Sequence, residues 1–155
     1  MNILSKSGHA FIKQTMREND ALYGGEMSAH HYFRDFSFAD SGMIPWLLVA
    51  QELSLTGKPL SSLVAERIEK YPCSGEINRE VNNPDQAIEN VKQAFIGEAT
   101  DVNEIDGISL EFDHVWRFNV RKSNTEPVVR LNVETAGNRK LLDEKTERIL
   151  DILRK

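Results

Sequence analysis

No stretch of this sequence reaches the roughly 20 apolar residues that a membrane-spanning helix needs. The opening Asn2-Ile3-Leu4-Ser5-Lys6 has neither the long apolar segment nor the cleavage site of a secretory leader. Cysteine is almost absent: Cys73 stands alone, so no internal disulfide is possible and nothing favours an oxidising compartment. A cytoplasmic protein is the expectation. With no activating partner nearby in the sequence, Cys73 reads as a small apolar filler and not as a nucleophile. An excess of positive charge is lacking too. A formal net charge of -5 and a pI near 5.4 exclude a general nucleic-acid binder, because phosphate backbones are held by clustered Lys and Arg, so any phosphate bound here is gripped locally. There is no internal repeat and no compositional bias toward disorder.

What remains is globular: 40% hydrophobic and 28% charged residues over 155 positions, enough for one ordinary domain or two small ones. The first forty residues read as loop-rich, with Gly8, Gly24 and Gly25 in turns and a clump of His, aromatic and acidic residues from Glu26 to Asp40. Asp40 or Ser41 can then cap a helix running through Leu53, with Pro45 early enough to be tolerated and Gly57 as its stop. Its apolar residues predict a largely buried helix. Leu63, Val64, Ile68 and Tyr71 recur at helical spacing until Pro72, where we place a domain boundary. Beyond it, Ile77 and Val81 mark an extended segment. Asn83-Pro84-Asp85-Gln86 is a helix start, with Asn as cap, Pro at the first position and Gln able to close the cap, and Ile88, Val91 and Phe95 form the buried stripe. Ile108-Leu110-Phe112, Trp116-Phe118-Val120 and Val129-Leu131-Val133 alternate with polar residues and predict three antiparallel strands. After Gly137, Leu141, Leu142, Ile149, Leu150 and Leu153 give a closing amphipathic helix. The fold class expected is α+β, the second half being a small sheet backed by helices on one face and free to carry function on the other.

Two segments carry chemistry. In the first, Glu26 is an acceptor and Ser28 a donor and acceptor in a tight Gly-led loop, which suits two adjacent sugar hydroxyls and equally suits a surface turn. In the second, alternation sends Trp116, Phe118 and Val120 to the core and Arg117, Asn119 and Arg121 the other way, with Arg130 on the matching face of the next strand. Ser123, Asn124 and Thr125 follow Arg121 in a loop. Forked guanidinium groups with hydroxyl, amide and backbone N–H donors make a cradle for a phosphate dianion, each charged bond contributing roughly 1.5–3 kcal/mol. An ordinary polar turn beside solvated arginines is the other reading. His9, His30 and His31 with Glu26 and Asp35 match no compact metal-binding spacing, so no metal is expected on this chain.

Arg121-Lys122-Ser123-Asn124-Thr125-Glu126-Pro127, followed by Val128 to Glu134, resembles the C-terminal phosphate-binding loop and strand of the α-D-phosphohexomutase family. Gly24-Gly25-Glu26-Met27-Ser28-Ala29-His30 resembles that family's GEMSGH sugar-binding loop, with Ala29 where glycine is usual, and Lys6-Ser7-Gly8-His9 is similar to its K-T-G-H segment. Asp40-Ser41-Gly42, Tyr71-Pro72 and Asp106-Gly107-Ile108 echo the family pattern in the same order, so the likeness spans essentially the whole chain. The stretch from Gly24 to Phe36 is most similar to the bacterial phosphomannomutase branch, phosphoglucosamine relatives usually having Gln where Met27 stands.

The resemblance implies that residues 1–72 are the end of an α/β third domain and 73–155 a complete fourth domain. It further implies substrate contacts from Lys6, His9, Glu26, Ser28, Arg121, Ser123, Asn124, Thr125 and Arg130, with His30 a participant in proton transfer. The implied reaction interconverts mannose 6-phosphate and mannose 1-phosphate through a phosphoserine and a bisphosphate intermediate and feeds nucleotide-sugar synthesis. Mg²⁺ neutralises charge at its transfer centre. The T-A-S-H-N-P-like serine loop and the D-G-D-x-D-R metal loop are missing from this sequence, Asp106-Gly107 being followed by Ile108. Positioning groups without a nucleophile bind and do not turn over, so the polypeptide alone is expected to be inactive, its partners being a phosphosugar and the N-terminal domains of the same enzyme. A dual phosphoglucomutase/phosphomannomutase, a standalone phosphosugar-binding module and a purely structural domain are the rival readings.

Overall fold

The computed structural model describes residues 3–26, 28–123 and 126–154. The chain divides into two compact units, Met1–Leu63 and Val64–Lys155, a division that falls inside a helix and several residues before Pro72.

The first unit holds more regular structure than its glycines led us to expect. Helix α1 (His9–Glu18) presents Ile12 and Met16, four residues apart, to Tyr32, and these three form its small buried cluster with Ala21 and Phe38 at the edge. Strands β1 (Tyr23–Gly25), β2 (His31–Phe33) and β3 (Ala39–Asp40) form an antiparallel sheet in that order. The expectation of a loop-rich start is thus corrected, and Gly24 and Gly25 lie in a strand. Gly24 is needed for packing: a Cβ there would lie 2.8 Å from Met16 Sδ and 3.0 Å from Ile12 Cγ2, so only glycine lets α1 approach β1 this closely. Strands of two or three residues are too short for a period-2 pattern to register, which is why the sequence shows glycines and not a sheet.

Helix α2 (Met43–Thr56) starts and stops as its sequence predicts. Ser41 Oγ accepts from Ile44 N at 3.3 Å, and Gly57 closes the helix in the left-handed region at φ 65°. Its predicted burial fails. The helix is apolar on every side, the pattern of an element covered all round, yet none of its residues is buried, and Trp46 and Leu55 are 61% and 76% exposed. The covering that such a pattern calls for is not supplied within this structure. Helix α3 (Leu60–Lys70) follows and carries the division between the units.

The second unit is a five-stranded antiparallel sheet with two helices. Strand β4 (Ile77–Glu80), helix α4 (Pro84–Phe95), strands β5 (Asp101–Asn103), β6 (Ile108–Phe112), β7 (Trp116–Lys122) and β8 (Val128–Thr135) and helix α5 (Arg139–Leu153) follow in sequence, and the sheet order is β4-β8-β7-β6-β5. Asn83 caps α4 by accepting from Gln86 N at 3.1 Å, while the Gln86 side chain bonds Asn90 and leaves the reciprocal arm of the cap unmade. Asn138 caps α5 in the same way through Leu141 N. The inward residues of β6, β7 and β8 pack with Val91 and Phe95 of α4 and Leu142, Ile149, Leu150 and Leu153 of α5 into one core, Phe95 meeting Phe112, Trp116 and Phe118 edge-on. Edge strand β5, with Val102 its one apolar residue, was not anticipated. Cys73 is exposed, so its reading as a buried filler is corrected: it sits in the stretch before β4 that bridges to Glu134 by backbone pairing.

Gly107, at φ 73°, lets the turn between β5 and β6 press onto β7, where a Cβ would stand 2.3 Å from Val120 O and 2.6 Å from Arg121 Cβ. Gly107→Ala should therefore destabilise the second unit by roughly 2–4 kcal/mol, a disfavoured φ and a backbone clash acting together. Urea unfolding followed through Trp116 checks it, and a loss below about 1 kcal/mol contradicts the packing described.

Candidate functional site

Two groups of the predicted residues are brought together, one in each unit. In the first unit a hairpin turn is closed by Glu26 N donating to His30 O at 3.0 Å and Ala29 N to Glu26 O at 3.0 Å. Ser28 lies exposed in this turn, and Ala29, in the glycine position of the resembled motif, takes φ 64°. The Glu26 carboxylate is half-buried and accepts one hydrogen bond on each oxygen. Tyr32 donates its hydroxyl to Oε1 at 2.6 Å, and Gly8 N donates to Oε2 at 3.1 Å, which ties the Lys6–His9 segment to the turn. Burial first, and the bond to Glu26 second, push the Tyr32 phenol well above its ordinary value, so it stays a donor.

His30 and His31 are held differently although adjacent. His30 Nδ1 lies 2.6 Å from Asp40 Oδ2, while His31 N donates to Asp40 Oδ1 at 2.9 Å and its ring nitrogen meets Tyr23 Oη at 2.6 Å. The hydrogen bond to Asp40 and the charge of that carboxylate raise His30 above the usual imidazole value, and the same bond, with the His31 amide, lowers Asp40. The ionised pair is therefore favoured from below the ordinary carboxylate range to above the ordinary imidazole one. Its contribution is lost as pH rises through the raised His30 value or falls through the lowered Asp40 value. Of Asp40 and Ser41, the two alternatives expected to cap α2, Ser41 does the capping and Asp40 is the partner of both histidines. Lys6 lies with its ammonium 5.9 Å from the Phe11 ring centre, and exposed His9 opens α1.

In the second unit the register of β7 on β8 places Arg121 directly opposite Arg130. Like charges facing each other across a sheet repel. Glu76, just ahead of β4, answers them both, with Oε2 3.4 Å from Arg121 and Oε1 3.5 Å from Arg130. Arg130 also reaches Ser123 Oγ at 3.5 Å, and its buried Nε has no acceptor. Ser123 N donates to Val128 O at 2.9 Å and closes the loop between the strands. Asn124 and Thr125 lie outside the described residues. The sequence missed Glu76, and the only signal for it is an acidic residue at the entrance of a strand beside the one that carries Arg130.

Among the described residues no group of three His, Cys, Asp or Glu could hold a metal ion, and His30 and His31 are each engaged with another side chain. No helix among the described residues is long and apolar enough to cross a membrane.

Comparison with known proteins places both units in one family. Residues 2–71 match the alpha/beta/alpha domain III of phosphoglucomutase/phosphomannomutase, and residues 76–152 match its C-terminal domain. The chain belongs to the phosphoglucomutase/phosphomannomutase family, of which it is a C-terminal portion. It is 56% identical over 152 residues to a phosphomannomutase of Escherichia coli, a match covering 98% of this chain and 33% of that protein. It is 53% identical over 152 residues to the phosphohexose mutases of Xanthomonas campestris pv. campestris strain B100, covering 98% and 34%. The solved structure of a phosphoglucomutase/phosphomannomutase family protein from Burkholderia thailandensis superposes with a TM-score of 0.70 at 26% identity, covering 96% of this chain and 32% of that one. The chain thus spans about a third of the length of the relatives it matches.

Because Ala29 sits in the left-handed region, Ala29→Gly should stabilise the first unit by roughly 0.5–1 kcal/mol, the relief of a Cβ clash outweighing the extra freedom of the unfolded chain. Paired urea titrations read through Trp46 measure the gain, and destabilisation would count against the turn geometry.

Proposed function

We propose that this chain supplies the substrate-gripping part of a phosphomannomutase that interconverts mannose 6-phosphate and mannose 1-phosphate. The observation that carries the reading is the cross-strand pair Arg121 and Arg130, two guanidinium groups confronted at a sheet surface beside Ser123. Such a pair is costly without an anion and suits a phosphate dianion, which accepts forked donors on several oxygens. In our reading Asn124 and Thr125 add donors to that cradle, while Lys6, His9, Glu26 and Ser28 address the sugar, Glu26 and Ser28 taking hydroxyls. His30 takes the proton that an attacking hydroxyl must lose, or returns it to a leaving oxygen.

The chain carries neither the phosphoserine loop nor the metal loop of the resembled family, so we expect a phosphoserine, a bisphosphate intermediate and Mg²⁺ to belong to the complete enzyme and this polypeptide alone to be inactive. In this proposal residues 1–72 end the third domain and 73–155 form the fourth. A lone cysteine that needs no disulfide accords with a cytoplasmic location. A dual phosphoglucomutase/phosphomannomutase is favoured by the same geometry, because the groups proposed for the sugar address hydroxyls that mannose and glucose share. The ratio of kcat/KM for mannose 1-phosphate and glucose 1-phosphate in the complete enzyme separates the two.

In the complete enzyme Arg121→Ala should lower kcat/KM by roughly 30–150-fold, the equivalent of about 2–3 kcal/mol of transition-state stabilisation. A loss below threefold removes Arg121 from the site. The isolated chain should bind mannose 6-phosphate by calorimetry without converting it, and turnover by the chain alone would overturn the division of labour proposed.

A further inference from the structure

Asp40 is the carboxylate that the proposed function leaves without a task, and its geometry gives it one. It ends β3, opposite Tyr32 of β2, so the sheet fixes where its side chain begins. One oxygen then accepts from the backbone N–H of His31 at 2.9 Å, which uses up the freedom of the carboxylate to turn. The other oxygen is left 2.6 Å from Nδ1 of His30, whose side chain is 54% exposed. A carboxylate so pinned accepts only a hydrogen, and an imidazole facing it must keep its proton on Nδ1. That settles the tautomer of the neutral ring: Nδ1–H toward Asp40, and on Nε2 a bare lone pair.

We propose that Asp40 is a positioning residue for proton transfer, holding His30 in the orientation and tautomer in which Nε2 alone exchanges protons with the sugar hydroxyl. This rests on the reading of His30 given above. The step balances simply. As the hydroxyl oxygen forms its new bond to phosphorus, the bond from phosphorus to the oxygen of the phosphoserine expected in the complete enzyme breaks and leaves the serine oxygen with that electron pair. The hydroxyl proton passes to the Nε2 lone pair, the imidazolium that results is stabilised by the ionised Asp40, and in the reverse direction the same proton returns to the sugar oxygen as its bond to phosphorus breaks. Asp40 itself never changes protonation.

The charges around the ring agree with this assignment. Asp40 and, at longer range, Glu26 both favour the imidazolium. Tyr32 donates to Glu26 and stays neutral, and Tyr23 is occupied with the His31 ring, so neither competes for His30. The rings of the two adjacent histidines thereby have separate partners, and of these two rings His30's is the one with a carboxylate behind it.

The test begins with this chain and needs no activity. Long-range ¹H–¹⁵N correlation spectra recorded above the His30 titration should show the Nδ1–H tautomer, and an Nε2–H tautomer overturns the proposal whatever becomes of any variant. In Asp40→Asn the His30 titration should move down, through the loss of a charged hydrogen-bond partner. A folded variant, judged by amide dispersion, in which His30 does not move also overturns it.

In the complete enzyme Asp40→Asn should lower kcat by ~10²–10⁴-fold with KM changed less than threefold, and should shift the pH dependence of kcat with the His30 titration. A merely structural role would leave that dependence in place. These spectra test Asp40 and His30 alone. Failure of the chain to bind mannose 6-phosphate would instead strike the functional reading, so the two failures are distinguishable.

Discussion

The register of β7 against β8 is the constraint from which the C-terminal half follows. Because Phe118 faces Val133 and Val120 faces Leu131, those four side chains join the core under α4 and α5, and the alternate residues are sent to the opposite face of the sheet in matched pairs. Arg117 meets Glu134, Asn119 meets Asn132 and Arg121 meets Arg130. A slip of one residue would expose the apolar set and bury the guanidinium groups, so the same burial that stabilises the sheet also aligns the arginines. The confrontation of Arg121 with Arg130 is thus imposed by the core, and Glu76 offsets it with two long ion pairs. With all three side chains between about a quarter and a third exposed, those pairs are individually weak, which leaves the guanidinium groups available to a stronger anion.

The first unit relies on carboxylates where the second relies on a sheet. Among the described residues its buried cluster is Ile12, Met16 and Tyr32, little apolar surface to hold a turn and three short strands in one arrangement. Glu26 and Asp40 add the specificity. Each spends one oxygen on a backbone N–H and the other on a ring-bearing side chain, Gly8 and Tyr32 in one case and His31 and His30 in the other. A backbone donor fixes a carboxylate against rotation, and a fixed carboxylate can orient a neighbour. The turn between these two acids carries Ser28 and leads into His30, so the groups with chemical potential are those whose supports are the least apolar.

What the sequence made legible follows the length scale of the signal. Strands of five to eight residues with alternating Ile, Leu, Phe, Trp and Val, and helices announced by Asn83-Pro84 or by the apolar spacing after Gly137, were readable because periodicity and capping act within a dozen residues. Strands β1, β2, β3 and β5, two or three residues each, lie below that scale, and α1 was hidden behind neighbouring glycines and polar residues. The site divided in the same way. The facing of Arg121 and Arg130 was visible from alternation, whereas Glu76, forty-five residues before Arg121, and Asp40, which competes for a capping role, depend on tertiary pairing that no local pattern encodes. The burial expected of α2 failed for a related reason: apolarity tells what a helix is suited to, and not whether a covering surface accompanies it.

The contrast between α2 and the polar supports bears on what this chain can do unaided. An exposed helix carrying Met43, Trp46, Leu47, Leu48 and Leu55 at half exposure or more is a strain on solubility, not on local geometry, because α2 is closed by its own Ser41 and Gly57 caps. The turn from Glu26 to His30 is closed by its own backbone bonds and anchored by Asp40, Tyr32 and Gly8, none of which lies on α2. The arginine pair likewise rests on the core beneath β7 and β8. Each of these groups is therefore determined within its own unit by hydrogen bonds or sheet register. That independence allows the proposed ligand binding and the His30 titration to be tested on the 155-residue chain.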